Sequence, residues 1–290
     1  MNSLTDNPQP AVSTDPPSSR SQEGGDRLIS FEDARFTYEP FPMGVVSPVF
    51  AHEVYEALVE DFPPLEDFVF KPHLGNKYSL SEVNNASLFH RRVKSHELWR
   101  RLFAEVKSPD FASSVLDMLR DNDIDVGVQQ PGRGRIKHGR HFLGRARRRE
   151  IGAGEFARSI AHRPRKIGLN TRFEFSMLPA DGGNIKPHTD APQKFVTLIF
   201  SMVKPREWDS RYGGGTDMLR PHDARKSFNW RNDQLEFDEV EVLETFPFQP
   251  NQCVIFVKTF NSLHSVPPMT GPPGVLRRTL TINIERAGVV

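Results

Sequence analysis

Cysteine is almost absent from this chain: among its 290 residues, Cys253 is the only one. An intrachain disulfide is therefore excluded, and a reducing, intracellular compartment is expected. Long apolar runs are missing too, since no stretch approaches the roughly 20 residues of a membrane-spanning helix. The first thirty residues lack the basic and apolar regions of a secretory signal. We expect a soluble, cytoplasmic protein that has no membrane partner.

The chain also has little net charge. The 38 Lys and Arg nearly balance the 37 Asp and Glu, which leaves a formal charge of +1. No overall field then favours a polyanion, so nucleic acid is not the expected partner. The chain is long enough for one sizeable domain with additions, or for two small domains.

The first half of the chain divides by composition into a tail and a helical region. Residues 1–27 are rich in Ser, Pro, Asp and Gly, and they contain too few apolar side chains to offset the entropy of ordering. They are predicted to be a disordered tail. Residues 28–130 are predicted to be mainly helical and to support the rest of the fold. Amphipathic stretches follow Ser47-Pro48, Ser95 and Ser108-Pro109, where Ser is a suitable N-cap and Pro suits a first turn.

Residues 131–166 form a basic segment that we interpret as an insertion or loop. Between Arg133 and Lys166 there are twelve Lys or Arg, against only Glu150 and Glu155. One interpretation is a rim or lid that attracts an anionic substrate. The other is a solvated surface loop whose charge is balanced by the rest of the chain.

From residue 167 to residue 290 the pattern is typical of β structure. Short apolar or alternating stretches are separated by Gly and Pro rather than by helices, which favours an antiparallel barrel or jelly roll. Together with the preceding helices this predicts an α+β fold. The predicted strands are Thr171–Met177, Lys194–Met202, Thr216–Leu219, Glu239–Phe246, Gln252–Lys258 and Arg277–Ile284.

Three side chains in this half have the spacing of a metal site. On an extended segment, residues two apart project to the same face, so His188 and Asp190 can hold one ion together. His264 lies 74 positions after Asp190, and Arg277 lies 13 positions after His264. An H-x-D pair alone is common, but this order of H-x-D, H and R is restrictive. Two histidines and one carboxylate leave adjacent positions open, which suits iron(II) with 2-oxoglutarate and dioxygen.

The region from Thr171 to Glu285 resembles the 2-oxoglutarate and iron(II)-dependent oxygenase superfamily, and within it the prolyl-4-hydroxylase-like branch. The resemblance rests on these stretches: Leu178 to Gly183, Pro187 to Asp190, Phe195 to Phe200, Trp208 with Gly213 to Thr216, Pro250 to Gln252 with Phe256, Leu263 to Val266, and Arg277 to Thr281. It implies a double-stranded β-helix (jelly-roll, cupin-like) core with N-terminal supporting helices. It also implies that Fe(II), 2-oxoglutarate and O2 take part, with ascorbate as a candidate stimulant.

The anchor of 2-oxoglutarate is predicted from strand register. Alternation places Arg277, Thr279, Thr281 and Asn283 on one face and Arg278 with three aliphatic residues on the other. The polar face should line the cofactor cavity, which favours Arg277 as the anchor and Thr279 as a second donor; the family's Arg-x-Ser/Thr pattern agrees. Arg278 stays open as the alternative. Thr197 is a candidate for lining the cofactor site, or equally an ordinary β-forming residue.

The predicted function is a 2-oxoglutarate-dependent dioxygenase that hydroxylates an unidentified peptidyl residue, amino acid, sugar or metabolite. Two alternatives stay open: a cupin-like metal-dependent isomerase or hydrolase, and a non-catalytic module that kept the barrel. Asp190 argues against the halogenating relatives, which lack this carboxylate. Leu178 and Ser201 stand where many prolyl hydroxylases carry tyrosines, so proline is not assumed as the target.

Overall fold

The computed structural model describes residues 27–126, 168–229 and 231–287. The predicted tail (1–27, of which only Arg27 is described) and the predicted basic segment (131–166) lie outside these ranges. Their predicted roles stay predictions.

The N-terminal part combines four helices with four short strands. The helices are α1 (His52–Glu60), α2 (Ala86–Ser95), α3 (Glu97–Lys107) and α4 (Pro109–Asp121). The strands are β1 (Arg35–Thr37), β2 (Met43–Val46), β3 (Val69–Lys71) and β4 (Lys77–Ser81). None of the helices in the described ranges has the length and apolar character needed to cross a bilayer.

The predicted amphipathic stretches correspond to α1, α3 and α4, whereas α2 and the four strands were not predicted. Ser108 caps α4 as expected, because its hydroxyl accepts a hydrogen bond from the Phe111 amide at 3.2 Å and Pro109 occupies the first turn. Helix α2 buries only Phe89 and Val93, so its apolar stripe is weak in the sequence. The strands have three to five residues each, too few to show a clear period.

Eight further strands follow after residue 167. They are β5 (Leu169–Pro179), β6 (Ile185–His188), β7 (Lys194–Ser201), β8 (Thr216–Pro221), β9 (Val240–Phe246), β10 (Cys253–Val257), β11 (His264–Val266) and β12 (Leu276–Arg286). Six of them coincide with the predicted strands to within a few residues. The other two, β6 and β11, are short, and they carry the histidines of the predicted metal site.

The order of these strands is that of a jelly roll. Antiparallel pairs are nested, with β5 beside β12, β6 beside β11, β7 beside β10, and β8 beside β9. Pairing of β7 with β12 and of β8 with β11 then assembles two sheets. The larger sheet has the order β1-β2-β10-β7-β12-β5-β4-β3, and the smaller has the order β6-β11-β8-β9. The fold is therefore α+β with a double-stranded β-helix core, as predicted.

The larger sheet buries one face against the helices. Phe173 and Phe175 of β5 project from that face into an aromatic cluster with Trp99 of α3, and the Trp99 and Phe175 rings are 4.7 Å apart in an edge-on arrangement. Leu280 and Ile282 of β12 lie on the same face and are fully buried. The opposite face of β5 and β12 is polar, and it lines the interior of the barrel. The helices thus hold the sheet from behind, while its concave face stays free for a site.

The aromatic cluster yields a prediction about stability. Replacement of Phe175, which is fully buried, by Ala should lower the free energy of unfolding by about 3–5 kcal/mol, because the ring leaves a cavity in a close-packed core. Urea denaturation would measure this. The control is Val242→Ala on β9, whose side chain is 56% exposed and whose loss should change stability by less than about 0.5 kcal/mol. Equal effects of the two substitutions would contradict this view of the core.

Candidate metal centre and its cavity

The pairing of β6 with β11 brings two histidines together. His264 opens β11 and lies directly opposite His188, the last residue of β6. Their ring centroids are 4.5 Å apart. Asp190 follows two residues after His188, and one ligand atom from each of the three side chains lies within 4.8 Å of the others. The structure thus assembles the predicted H-x-D and distant His into one cluster.

Hydrogen bonds fix both imidazoles in the orientation that a metal requires. Nδ1 of His188 lies 2.8 Å from the carbonyl oxygen of Lys186, and Nδ1 of His264 lies 3.0 Å from that of Ser262. Since a carbonyl oxygen only accepts, each Nδ1 carries the proton and each Nε2 presents a lone pair. Burial lowers the pKa of both rings, that of His188 to about 3. Both histidines are therefore neutral and competent as ligands at neutral pH.

The carboxylate of Asp190 is held by two neighbours. Lys194 donates to one oxygen at 2.7 Å, and the Thr197 hydroxyl donates to the other at 2.6 Å. Burial alone would raise the pKa of Asp190, but the positive charge of Lys194 outweighs it and keeps the pKa below its usual range. Asn283 lies 2.9 Å from the Thr197 oxygen. The contact atom of Asn283 is its side-chain oxygen, so the single Thr197 hydroxyl proton is donated either to Asp190 or to Asn283, and the three side chains form one network.

A cavity of about 600 Å³ opens in front of the cluster. The six residues predicted for metal and cofactor binding all line it: His188, Asp190, Thr197, His264, Arg277 and Thr279. The size is within the range of pockets that hold a small molecule. A site for a metal and a site for a small organic ligand thus share one space.

Arg277 is a buried cation that has no acidic partner within the described part of the chain. Its side chain is only 5% exposed. Nε donates to the Gly214 carbonyl oxygen at 2.7 Å, and the guanidinium lies over the Phe248 ring at 4.4 Å. Burial lowers the Arg277 pKa to about 9. Because an uncompensated buried charge is costly, this guanidinium favours the binding of an anion.

Arg278 lies on the opposite face of β12, as the register predicted. It forms an ion pair with Glu207, and its guanidinium lies 5.7 Å from the Phe62 ring. Thr279 returns to the cavity face, where its hydroxyl is 2.8 Å from that of Ser176. Of the two candidate anchors, only Arg277 therefore lines the cavity.

Several contributors to the site were not predicted. Lys194 and Ser176 line the cavity, and Asn283 supports Thr197 from the polar face of β12. Strand register alone places Asn283 on the same face as Arg277 and Thr279, which is the sequence signal for its position in the site. The turn from residue 72 to residue 76 also forms part of the wall, and no sequence signal connected it to the barrel.

Leu178 and Ser201, which stand where tyrosines were expected, lie in different places. Leu178 lines the cavity, whereas Ser201 is buried and its carbonyl oxygen accepts a hydrogen bond from the Tyr55 hydroxyl.

Comparisons with known proteins return structural similarity only. No protein-family model matches the chain, and no curated protein matches it. Among solved structures, a Pseudomonas putida prolyl-4-hydroxylase shares 12% identity over 85% of this chain and 93% of that chain, with a TM-score of 0.42.

Two further solved structures match over a similar share of the chain. The 2-oxoglutarate-dependent epimerase SnoN from nogalamycin biosynthesis has 15% identity over 84% of this chain and 78% of that chain, with a TM-score of 0.46. HygX from Streptomyces hygroscopicus, solved with nickel and 2-oxoglutarate, has 9% identity over 84% and 83%, with a TM-score of 0.44. The fold assignment for this chain rests on its own strand order.

The bonds to Asp190 yield a prediction about metal affinity. Thr197→Val keeps the shape of the side chain but removes the donor to the carboxylate, so the affinity for Mn²⁺ should fall roughly 10-fold to 100-fold. Isothermal titration calorimetry would measure it. Thr281→Val, on the cavity face of β12, is the control and should bind Mn²⁺ as the unaltered chain does. Unchanged affinity in Thr197→Val would show that Thr197 does not support the cluster.

Proposed function

We propose that this chain is a 2-oxoglutarate- and iron(II)-dependent dioxygenase that hydroxylates its substrate. The observation that carries the proposal is the coexistence, in one cavity, of a His-Asp-His cluster and a buried arginine without an acidic partner. The cluster alone is compatible with many metals, and a buried arginine alone with many anions. Their combination would suit a metal ion at the cluster together with a small dicarboxylate, one end of which Arg277 would hold.

His188, Asp190 and His264 would hold the iron. Two neutral imidazoles and one carboxylate are the ligand set of the facial triad, which leaves positions for other ligands. When bound, Fe(II) with 2-oxoglutarate supplies the activation of dioxygen, and the products are succinate, carbon dioxide and a substrate that carries one added oxygen atom. The residues of the protein would orient the substrate and exclude water.

Arg277 would bind the far carboxylate of 2-oxoglutarate. The Gly214 carbonyl holds Nε, so the terminal nitrogens can face the cavity as a bidentate donor. A bound carboxylate would also neutralise the buried guanidinium. Thr279, directly after Arg278 on the same strand, has its hydroxyl in the cavity wall beside Ser176 and is placed to donate a further hydrogen bond.

Lys194, Thr197 and Asn283 would act as positioning residues. Lys194 and Thr197 each take one oxygen of Asp190, which limits rotation of the carboxylate about its side-chain bonds. A fixed carboxylate keeps one oxygen directed toward the metal. Asn283 orients the Thr197 hydroxyl in turn. This chain of contacts runs from β12 through β7 to the loop after β6, so the two sheets of the barrel meet at the metal.

The two alternative functions differ in what Arg277 does. In a metal-dependent isomerase or hydrolase, or in a non-catalytic module, a buried arginine facing the cluster has no defined ligand. In the proposed dioxygenase, the ligand of Arg277 would be the far carboxylate of 2-oxoglutarate. Binding of 2-oxoglutarate that depends on both the metal and Arg277 therefore separates the proposal from both alternatives.

Succinate formation tests the proposal. The unaltered chain, incubated with Fe(II), 2-oxoglutarate and air, should form succinate, whereas His188→Ala and Asp190→Ala should form none above background. Arg277→Gln should raise the 2-oxoglutarate concentration needed for half-maximal rate on the order of 100-fold, because a desolvated charge pair is lost.

Arg278→Gln is the matched control. Arg278 is the next residue along the same strand, but its charge is paired with Glu207 and its side chain does not line the cavity. The dependence of the rate on the 2-oxoglutarate concentration should therefore stay unchanged. Near-normal succinate formation in His188→Ala and Asp190→Ala would overturn the proposal, as would equal effects of the two arginine substitutions.

A further inference from the structure

We propose that the substrate of this site is a small molecule with an anionic group, carboxylate or phosphate, held at the cavity mouth by Lys186 and Lys77, with Lys71 beside Lys77 on the neighbouring strand. The inference deepens the proposed function and rests on it for the reaction. The binding site for the anion follows from the arrangement of charges at the mouth.

A hairpin from the N-terminal part forms one wall of the mouth. Strands β3 and β4 pair antiparallel and are joined by a turn at residues 72–76, and that turn together with Lys77 lines the cavity. At its tip the chain packs closely on the barrel. Gly75 has a φ of +69°, and a Cβ there would lie 1.9 Å from the Asn184 carbonyl oxygen. The hairpin is therefore seated on the loop that leads to His188.

Two lysines face each other at the base of this hairpin. Lys71 and Lys77 are direct partners across β3 and β4, and like charges in this relation repel. One buried carboxylate, Glu174, serves both of them and Arg172: Lys77 lies 2.8 Å and Arg172 3.1 Å from its oxygens, and Lys71 interacts with it at longer range. Three cations thus share a single carboxylate beside the cavity. An added anion would relieve this imbalance.

Lys186 supplies a third amine from β6, two residues after the Asn184 on which the hairpin tip packs. It lies two residues before His188 on β6, so both side chains project to the same face, about 7 Å apart along the strand. Its partner Glu236 has a side chain that is 61% exposed, and an ion pair so open to solvent is weak. Lys186 can exchange this partner for a ligand. An anion bound there would place the rest of the molecule at the metal.

The other side chains at the cavity mouth favour a polar substrate that carries no positive charge. Within the described ranges, Asp190 is the only acidic residue that lines the cavity, and it is engaged by Lys194 and Thr197. Uncharged amides account for much of the rest of the mouth: Asn76, Asn184, Asn232 and Gln234. Amides can donate to and accept from hydroxyl or amide groups of a ligand. A cationic substrate would find no free carboxylate there.

Binding of two simple anions tests the inference. The full chain is loaded with Mn²⁺ and saturated with 2-oxoglutarate, so that Arg277 is occupied, and is then titrated with inorganic phosphate or with acetate at constant ionic strength. Chemical shift or calorimetric titration should give millimolar binding of at least one anion. Lys186→Met and Lys71→Met should each weaken it 5-fold or more. Lys71 is replaced instead of Lys77, because Lys77 forms an ion pair with the buried Glu174 and its removal would destabilise the fold.

Lys226→Met is the control, since this lysine pairs with Glu239 and does not line the cavity. Phosphate binding alone would indicate a phosphorylated substrate, and acetate binding alone or with equal strength would indicate a carboxylate. Absence of binding, equal binding in all variants, or binding only when 2-oxoglutarate is left out would overturn the inference. If 2-oxoglutarate itself does not bind, the proposed function fails, but titration with the two anions still reports on the lysines.

Discussion

The site depends on the antiparallel pairing of two short strands, β6 and β11. This pairing places His188 directly opposite His264, although the two lie far apart in the sequence. It exists because the strands of a jelly roll are nested, so that the second strand of the barrel meets the seventh. Asp190 then needs no further element, since it follows His188 by two residues. One strand register thus brings ligand atoms of three side chains close together.

Charge balance extends the same arrangement. Asp190 is satisfied by Lys194 and Thr197, and Glu174 by Lys77, Arg172 and Ser79. By contrast, Arg277 has no acidic partner in the described part of the chain and is nevertheless buried. A protein tolerates such a charge most readily where a ligand neutralises it. Arg277 and Lys77 both line the same cavity, and Lys71 lies opposite Lys77 on the neighbouring strand.

The sequence predicted those features that depend on local pattern. The H-x-D pair, the β character after residue 167 and the placement of Arg277 and Arg278 on opposite faces of one strand all follow from local pattern, and the structure places these residues accordingly. Helix α2 was missed because Phe89 and Val93 are its only buried side chains. The wall formed by residues 72–76 could not be predicted, since it depends on the pairing of Tyr78 with Met177, which no local pattern encodes.

Anaerobic titration of the Fe(II)-loaded chain with 2-oxoglutarate would show whether one cavity binds the metal and the co-substrate together. A weak visible absorption band should appear and saturate at one equivalent, because the 2-oxo acid end would bind the iron while Arg277 would hold the far carboxylate. Iron bound at the triad with no visible band at any concentration of 2-oxoglutarate would rule out a shared site for the metal and 2-oxoglutarate.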